Sequence, residues 1–302
     1  MKLFLAIIIT LFHSSIVSAC NIPEKELIIR VAIMKSDLTA QMQLYQPEME
    51  LHEDEESNLS KKDFNKLIDS VKKVYTPIFK KIKMNFKIEH IWEDKQVTAF
   101  AGVRGEDRYI LLYGGYARHK LMSKDAFLSV ICHEVGHHLG GFPKKTGNTW
   151  SSSEGQADYF STLKCMKEVL KRDSDNKEVA LALALPPEIK KQCKFQYPEE
   201  NDYHICLRSA KAAEEHGILL AKLANEDDSQ ISLMNPSKEV KRVTNLKHPT
   251  PQCRVDTKYQ GALCNVSTII PLDDKDETKG TCHFNSFNIM GNRPACWFAH
   301  KK

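Results

Sequence analysis

Apolar residues recur every three or four positions after Ser60, a spacing that predicts an amphipathic helix. The apolar positions are Phe64, Leu67, Ile68, Val71, Tyr75, Ile78, Phe79 and Ile82. Ser60 and Asp63, at the start of this pattern, are placed as an N-terminal capping pair. We expect the apolar face of this helix to pack against a sheet.

Short stretches rich in β-branched and aromatic residues predict the strands of that sheet. They cover residues 85–92, 97–102 and 108–113. The turn-forming residues 104–107 separate the last two, which predicts an antiparallel hairpin. Nearer the N-terminus, residues 26–34 predict another strand, and the acidic run 51–57 predicts a solvated connector.

Helical patterns follow. Ser123 or Asp125 can begin a helix that stops at Gly140-Gly141, and a second helix is predicted from about Ser153 to Leu170. Further helical patterns lie near 177–185 and 202–225, before sequence that contains proline and cysteine and predicts irregular structure. The expected class is α+β, with a small, mostly antiparallel sheet.

Composition agrees with a folded globular chain: 42% of the 302 residues are hydrophobic and 27% are charged. The net charge is only +4, with basic and acidic residues interleaved. We therefore expect neither nucleic acid nor an anionic lipid surface as a partner.

The first residues predict export. Met1-Lys2, the apolar run 3–12 and the small residues after it have the plan of a secretory signal covering 1–19, and the run is too short to span a bilayer. Residues 17–20, Val-Ser-Ala-Cys, resemble a lipobox, which would place a lipid anchor on Cys20. The alternative is ordinary cleavage near Ala19 with Cys20 as a plain thiol. The expected location is the periplasm or the outer membrane.

Eight further cysteines stand at 132, 165, 193, 206, 253, 264, 282 and 296. An even number in an exported chain indicates disulfides, although the connectivity stays open. Sequence neighbours would close short loops: Cys193 with Cys206, Cys253 with Cys264, and Cys282 with Cys296. Cys132 would equally fit as a small buried residue.

Residues 133–137 read H-E-V-G-H within a predicted helix. Residues four apart project from one helix face, so His133 and His137 would reach one Zn²⁺ at about 2.0–2.1 Å. Zinc lowers the pKa of a water molecule that it holds to about 7. Glu134 is therefore the candidate general base, which would take this proton and deliver it to the leaving amine.

A third ligand is needed, and the next helix offers Glu154 within the pattern E-x-x-x-D, seventeen residues after His137. Asp158, one turn further, would accept the free ring N–H of a ligand histidine. The alternative is that both acids are solvated helix residues. Their place on the first helix after the motif, with Ala157 available for close packing, favours the metal role.

A metzincin pattern is not completed. Its third histidine would fall at position 143, which is Pro143, so Met290 is not expected to form a Met-turn. His138 is expected on the surface or behind a ligand rather than on the metal.

The stretch from about Val97 to Lys164 resembles the zinc peptidase family that contains the CAAX prenyl endopeptidase and the heat-shock protease HtpX, gluzincins with HExxH and ExxxD motifs. Other shared features occur in the family's order: Ala99-Phe100-Ala101, a turn, the strand 109–113, Gly114-Gly115 and residues 122–126. Thr98 departs from the asparagine that the family often has there. Because no later stretch could span a membrane, the chain is more similar to soluble and lipid-anchored periplasmic relatives.

The resemblance implies further roles. His248-Pro249, with Arg254 six residues after the histidine, is similar to a late His-Pro…Arg element of the family. It implies that His248 stabilises the oxyanion and that Arg254 organises the site, against the alternative of a loop histidine and a surface arginine. It also implies that 108–113 is an edge strand above the zinc, to which an extended substrate adds as a strand.

The sequence thus predicts a zincin-like α+β peptidase domain at 60–260, preceded by an N-terminal strand and connector at 20–59 and followed by a cysteine-rich tail at 261–302. The expected activity is zinc-dependent endopeptidase cleavage of extended peptide or protein segments, with one zinc per chain. Two alternatives stay open: hydrolysis of peptidoglycan peptides, and a non-catalytic zinc-containing binding or assembly lipoprotein. Membrane contact is expected only through Cys20.

Overall fold

The amphipathic stretch after Ser60 forms helix α1 (Lys61–Lys81) in a computed structural model that describes residues 59–283 and 290–300. Ser60 Oγ accepts a hydrogen bond from Asp63 N at 3.1 Å, and an Asp63 carboxylate oxygen accepts one from Ser60 N at 3.4 Å. This reciprocal pair confirms the predicted cap. The signal, Cys20, the strand 26–34 and the acidic connector lie outside the described residues.

Three strands form one mixed sheet. They are β1 (Asn85–Ile91), β2 (Ala99–Arg104) and β3 (Asp107–Tyr113), in the order β1-β3-β2. The predicted hairpin is confirmed because β2 and β3 pair antiparallel, but β1 pairs parallel with β3. A sheet that is half parallel departs from the mostly antiparallel one predicted.

The order of the strands also corrects the expected edge. β3 is the central strand because β1 occupies the side opposite β2, so β3 cannot be the edge above the zinc. Helix α1 packs on this sheet, and its buried Phe64 and Ile68 belong to one core cluster with Ile110 and Leu112 of β3. The expected packing of α1 on a sheet is confirmed.

A short helix, α2 (Gly114–Arg118), leads from β3 to α3 (Lys124–Leu139). Ser123 Oγ caps α3 by accepting from Ala126 N, and the helix ends at Gly140, both as predicted. The next predicted helix is continuous but changes its winding: α4 (Glu154–Phe160), a π-helical turn (Ser161–Cys165) and α5 (Met166–Leu170).

The remaining helices are α6 (Asn176–Leu181), α7 (Pro187–Gln196), α8 (Glu200–Leu223) and α9 (Pro251–Leu263), with a 3₁₀ turn at Asp228–Gln230. Helices α7 and α9 were not predicted, and both carry proline in the first turn. Proline suits that position because its missing N–H needs no intrahelical partner there. Sequence taken as irregular after residue 225 therefore contains a buried helix.

Four disulfides link the helical part. Cys193–Cys206 is confirmed. The predicted pairs Cys253–Cys264 and Cys282–Cys296 are wrong, because the four cysteines pair in a nested way, Cys253 with Cys296 and Cys264 with Cys282. Cys253 lies in the first turn of α9 and Cys264 is its C-cap, so the length of the helix keeps them too far apart to pair.

The fourth bridge joins Cys132 of α3 to Cys165 of the π-helical turn. It ties the helix that carries H-E-V-G-H to the helical stretch that carries Glu154. No helix within residues 59–283 or 290–300 is both long and apolar enough to cross a membrane.

Candidate metal centre

Helix α3 holds His133, Glu134 and His137 in the interior, and each is at most 6% exposed. The apolar neighbours Ile131 and Val135 on the same helix are fully buried, so packing fixes the rotation of α3 about its axis. The two imidazole rings lie one turn apart with their centroids 4.7 Å from each other. The predicted spacing therefore gives a shared helix face.

Helix α4 crosses α3 where Gly136 meets Ala157. A Cβ on Gly136 would lie 2.8 Å from the Ala157 carbonyl oxygen and 2.9 Å from its Cα, so glycine allows this approach. The crossing places Glu154, at the start of α4, opposite both histidines. The close packing expected at Ala157 is found, with Gly136 as its partner.

Three ligand atoms converge as a result. His133 Nε2 lies 3.2 Å from Glu154 Oε2, and His137 Nε2 lies 3.7 Å from Glu154 Oε1. Within the described residues these three side chains form a group that could hold a metal ion, with donor atoms within 4.8 Å of one another.

Hydrogen bonds at the far side of each ring orient the histidines. His137 Nδ1 donates to the Ser152 carbonyl oxygen at 2.9 Å, and His133 Nδ1 lies 2.9 Å from Asp158 Oδ1. Because both Nδ1 atoms face acceptors, the neutral rings carry their protons there and turn the Nε2 lone pairs towards Glu154.

The residues fit a zinc ion. Two nitrogen lone pairs that face a buried carboxylate repel it unless a cation lies between them, and two histidines with one glutamate are a donor set of catalytic zinc sites. Three protein ligands leave a coordination position open, whereas structural zinc usually has four.

The pKa shifts of His137 and Glu154 favour metal binding. Burial lowers the pKa of His137 well below its usual value, which keeps that ring neutral. Burial raises the pKa of Glu154, but His137 and His248 outweigh it, and the pKa lies well below the usual range. His133 differs: burial lowers its pKa, yet Asp158 raises it more, so protons compete with a metal more strongly at this ring than at His137.

Asp158 is fully buried and joins the first ligand to α9. Arg254 Nε and Nη2 donate to its two carboxylate oxygens at 2.6 and 3.0 Å. Burial raises the pKa of Asp158, but Arg254 and His133 lower it well below the usual range, so the carboxylate is ionised. Arg254 is 6% exposed, which excludes the alternative of a surface arginine.

His248 comes from the loop before α9, and its Nε2 lies 3.0 Å from Glu154 Oε2. Its side chain is 36% exposed, so it lies at the mouth of the site. The structure thus brings both residues to the candidate zinc site, His248 against Glu154 and Arg254 against Asp158. The chemical roles assigned to them stay predictions.

Glu134 follows His133 on α3 and is buried. Its Oε2 is buried and has no hydrogen-bond partner within the described part of the chain. Burial raises the pKa of Glu134, partly offset by His133. A buried carboxylate oxygen without a partner, beside the ligand pair, is placed to exchange a proton with a reacting group.

Several residues at the site were not predicted. Lys145 Nζ lies 2.6 Å from Glu154 Oε1, and Ser152 supplies the carbonyl that orients His137. Both lie in the connection between α3 and α4, and the only signal was that this segment joins two ligand helices. Lys258 is fully buried on α9, with Nζ 3.6 Å from Asp158 Oδ1.

His138 does not join the metal cluster. Its Nε2 lies 3.1 Å from the Tyr109 carbonyl oxygen of β3, and its ring stacks on Trp150 at 5.1 Å between centroids. Burial lowers the pKa of His138 to about 3, so it is neutral. It links α3 to the sheet and is not a ligand, as expected.

The comparison with known families agrees with this geometry. Residues 61–177 match peptidase family M48. This segment is similar to an M48 peptidase domain. No match to the chain was found among curated proteins or solved structures.

The M48 match covers α1, the sheet, α3 and α4, and so includes all three candidate ligands. The chain therefore carries a zinc metallopeptidase domain, which confirms the predicted enzyme class and cofactor. The sequence from α7 onwards, with Arg254, His248 and three of the disulfides, lies beyond the match.

Proposed function

We propose that the chain is an exported zinc endopeptidase that cuts extended or unfolded protein segments in the cell envelope. The observation that carries the proposal is the convergence of His133, His137 and Glu154 beside Glu134, whose Oε2 is buried without a hydrogen-bond partner among the described residues. An open ligand set next to a proton acceptor suits hydrolysis and has no use in a purely structural site.

The side chains have separate tasks in this proposal. When bound, zinc supplies Lewis acidity that polarises the scissile carbonyl and makes water more acidic. Glu134 accepts the proton of the attacking water and passes it to the leaving amine. His248, at the mouth of the site, donates to the developing oxyanion. Arg254 acts through Asp158, whose carboxylate orients His133.

Extended substrates are favoured by the sheet. Strand β2 is an edge of the described three-stranded sheet, and it packs against α3, which carries the motif. A peptide that adds to β2 would be read through its backbone more than through its side chains. This supports cleavage of unfolded segments with broad sequence tolerance.

The test compares wild type with Glu134→Gln and with Glu168→Gln, a matched change of an acid on α5. We expect all three to bind one zinc by metal analysis. Glu134→Gln should lose casein cleavage by about 10²–10⁴-fold, the usual contribution of a general base, while Glu168→Gln keeps it. Equal activity of the two variants would remove Glu134 from the mechanism.

Peptidoglycan peptides are the second candidate substrate for an envelope enzyme, since the backbone-reading edge of β2 does not exclude short peptides. Digestion of casein and purified sacculi side by side separates the two. Release of peptides from sacculi alone would replace the proposal. Zinc binding without cleavage of either substrate would favour the binding or assembly lipoprotein.

Location is proposed from the signal and from Cys20. Lipid labelling of the full-length chain, with fractionation of wild type and Cys20→Ala, tests it. We expect label and membrane attachment for wild type only. Label on neither protein, with both in the soluble fraction, would favour ordinary signal cleavage near Ala19.

A further inference from the structure

The C-terminal segment 290–300 lies behind the zinc site and contacts three parts of the chain that carry site residues. Its Trp297 is fully buried, and a Cβ on Gly155 would overlap the indole ring. Gly155 directly follows the ligand Glu154. The indole therefore lies against the backbone of α4 at the point where the carboxylate is presented.

The same helix is held at two more points. Arg293 Nη1 donates to Gln156 Oε1 at 3.2 Å, and Tyr159 OH donates to the Gly291 carbonyl oxygen at 2.6 Å. Arg293 is 2% exposed and Tyr159 is fully buried. Three contacts within residues 155–159, little more than one helical turn, thus fix α4 against the segment.

The second attachment is to the loop that presents His248. Asn245 N donates to the Trp297 carbonyl oxygen at 2.7 Å, and Ala299 N donates to Thr244 Oγ1 at 3.1 Å. Asn245 Nδ2 in turn lies 3.4 Å from the His248 carbonyl oxygen. The backbone of residue 297 therefore positions the segment from which His248 reaches Glu154.

The third attachment is covalent. Cys296 is bonded to Cys253, the residue before Arg254 on α9. Cys253, Cys296, Trp297 and Phe298 form a buried apolar cluster. One segment thus braces the elements that carry Glu154, His248 and Arg254.

We propose that residues 290–300 are a positioning segment for the zinc site, with Trp297 as the positioning residue for Glu154 and with the Cys253–Cys296 bridge holding the segment in place. This segment lies beyond the part of the chain that matches the M48 family. The inference uses the zinc site of the proposed function and adds a requirement for its assembly.

The experiment compares two double variants of the full mature chain, Cys253→Ser/Cys296→Ser and Cys193→Ser/Cys206→Ser. Each variant loses one disulfide, and the longer separation in Cys253–Cys296, 43 residues against 13, accounts for about 1 kcal/mol more loop entropy. The control bridge Cys193–Cys206 joins α7 to α8 and none of the three site elements. Zinc affinity is measured by chelator competition, and kcat and KM are measured at saturating zinc.

We expect the Cys253/Cys296 variant to bind zinc about 10–100-fold more weakly, the range seen when groups supporting a ligand are lost. Its kcat should also fall at saturating zinc, because His248 is no longer positioned, while KM changes little. The Cys193/Cys206 variant should keep the zinc affinity and kcat of wild type. Equal losses in both variants, or none in the first, would overturn the proposal.

Trp297→Ala and Trp297→Phe test the segment with all disulfides intact, and so decide the question if the first variant does not fold. Trp297→Ala should weaken zinc binding, and Trp297→Phe, which retains an aromatic ring against Gly155, should restore part of it. A folded Trp297→Ala protein with wild-type zinc affinity would refute the positioning role. Because zinc affinity needs no substrate, this result stands even if wild type cuts neither casein nor sacculi.

Discussion

At the residue scale, Asp158 orients the ring of the candidate ligand His133 without belonging to the ligand group itself. Its carboxylate faces His133 Nδ1 and both donors of Arg254 while fully buried. The acidic side chain at this position followed from the sequence, since it stands one helical turn after Glu154. Its pairing with a buried arginine did not, because Arg254 is 96 residues away.

Asp158→Asn should weaken zinc binding by about 10–100-fold, because the amide no longer holds the His133 tautomer as strongly. It should also lower the free energy of unfolding of the zinc-free protein by about 3–5 kcal/mol, since Arg254 is left buried without a counter-charge. Zinc titration and urea denaturation measure the two effects. Asp256→Asn, on α9 but away from the ligands, should keep the zinc affinity, and a similar loss there would contradict the argument.

Lys258 carries the second prediction at this scale, because burial lowers its pKa from 10.5 to about 8 in the folded chain. Between these values the unfolded chain binds more protons, so the wild-type free energy of unfolding rises with pH in that window. Lys258→Met removes the titration. The free energy of unfolding of Lys258→Met relative to wild type should therefore decline from pH 7 to pH 9.5, by about 2 kcal/mol.

Urea denaturation of both proteins at several pH values checks this direction. The Lys258 ammonium also lies against Ser129 Oγ and His216 Nδ1, both buried, so the measured difference at a single pH mixes several contacts. The change of this difference with pH reports only the protonation of Lys258. A difference between the proteins that stays constant over this range would refute the lowered pKa.

At the scale of elements, the site depends on how closely α3 and α4 approach. The helix periods and caps predicted both elements within a few residues, because each has its own apolar face and its own start signal. The crossing point was not predicted from periodicity. It follows from the absence of a side chain at Gly136, opposite the backbone of Ala157.

Gly136→Ala should lower the free energy of unfolding by about 1–3 kcal/mol, because the new methyl group overpacks the crossing. Alanine is otherwise the better helix former by roughly 1 kcal/mol, so the two effects oppose each other. Thermal unfolding of wild type and variant measures the balance. A stabilised variant would mean that α3 and α4 can move apart without cost. The zinc affinity of the same variant shows whether Glu154 moves with α4.

The strand order illustrates the limit of sequence patterns at this scale. Alternation found all three strands, and the turn at 104–107 fixed the antiparallel pairing of β2 with β3. The parallel pairing of β1 depends on α1 and on the connection between β1 and β2, which no local pattern encodes. For this reason the central β3 was mistaken for an edge.

For the whole molecule, zinc should act as a stabilising ligand because it binds the assembled site and not the unfolded chain. At free zinc about 1,000-fold above the dissociation constant, this adds about 4 kcal/mol, equivalent to a rise in Tm of about 10 °C for a domain of this size. Scanning calorimetry with zinc and with a chelator measures the shift. His137→Ala should show no zinc-dependent shift, and a full shift there would place the metal elsewhere.

The sequence by itself determined the helix that carries H-E-V-G-H, the candidate third ligand Glu154 and the position of Asp158 one helical turn after it. These features are local, because a turn of helix sets their spacing and a cap sets the start of α3. The even cysteine count also predicted disulfides, which the structure contains, while export rests on the N-terminal signal pattern and stays a prediction. The M48 match agrees with this local part, since it ends at residue 177.

Only the tertiary structure decided the nested disulfides, the burial of Arg254 and Lys258, and the position of Trp297 behind Glu154. Apart from Cys264 with Cys282, which are 18 positions apart, these depend on contacts between residues more than 40 positions apart, such as Cys253 with Cys296 and Arg254 with Asp158. The physical reason is that such pairs are selected by the packing of whole helices, which fixes which faces meet. Sequence spacing specifies a helix face but not its partner.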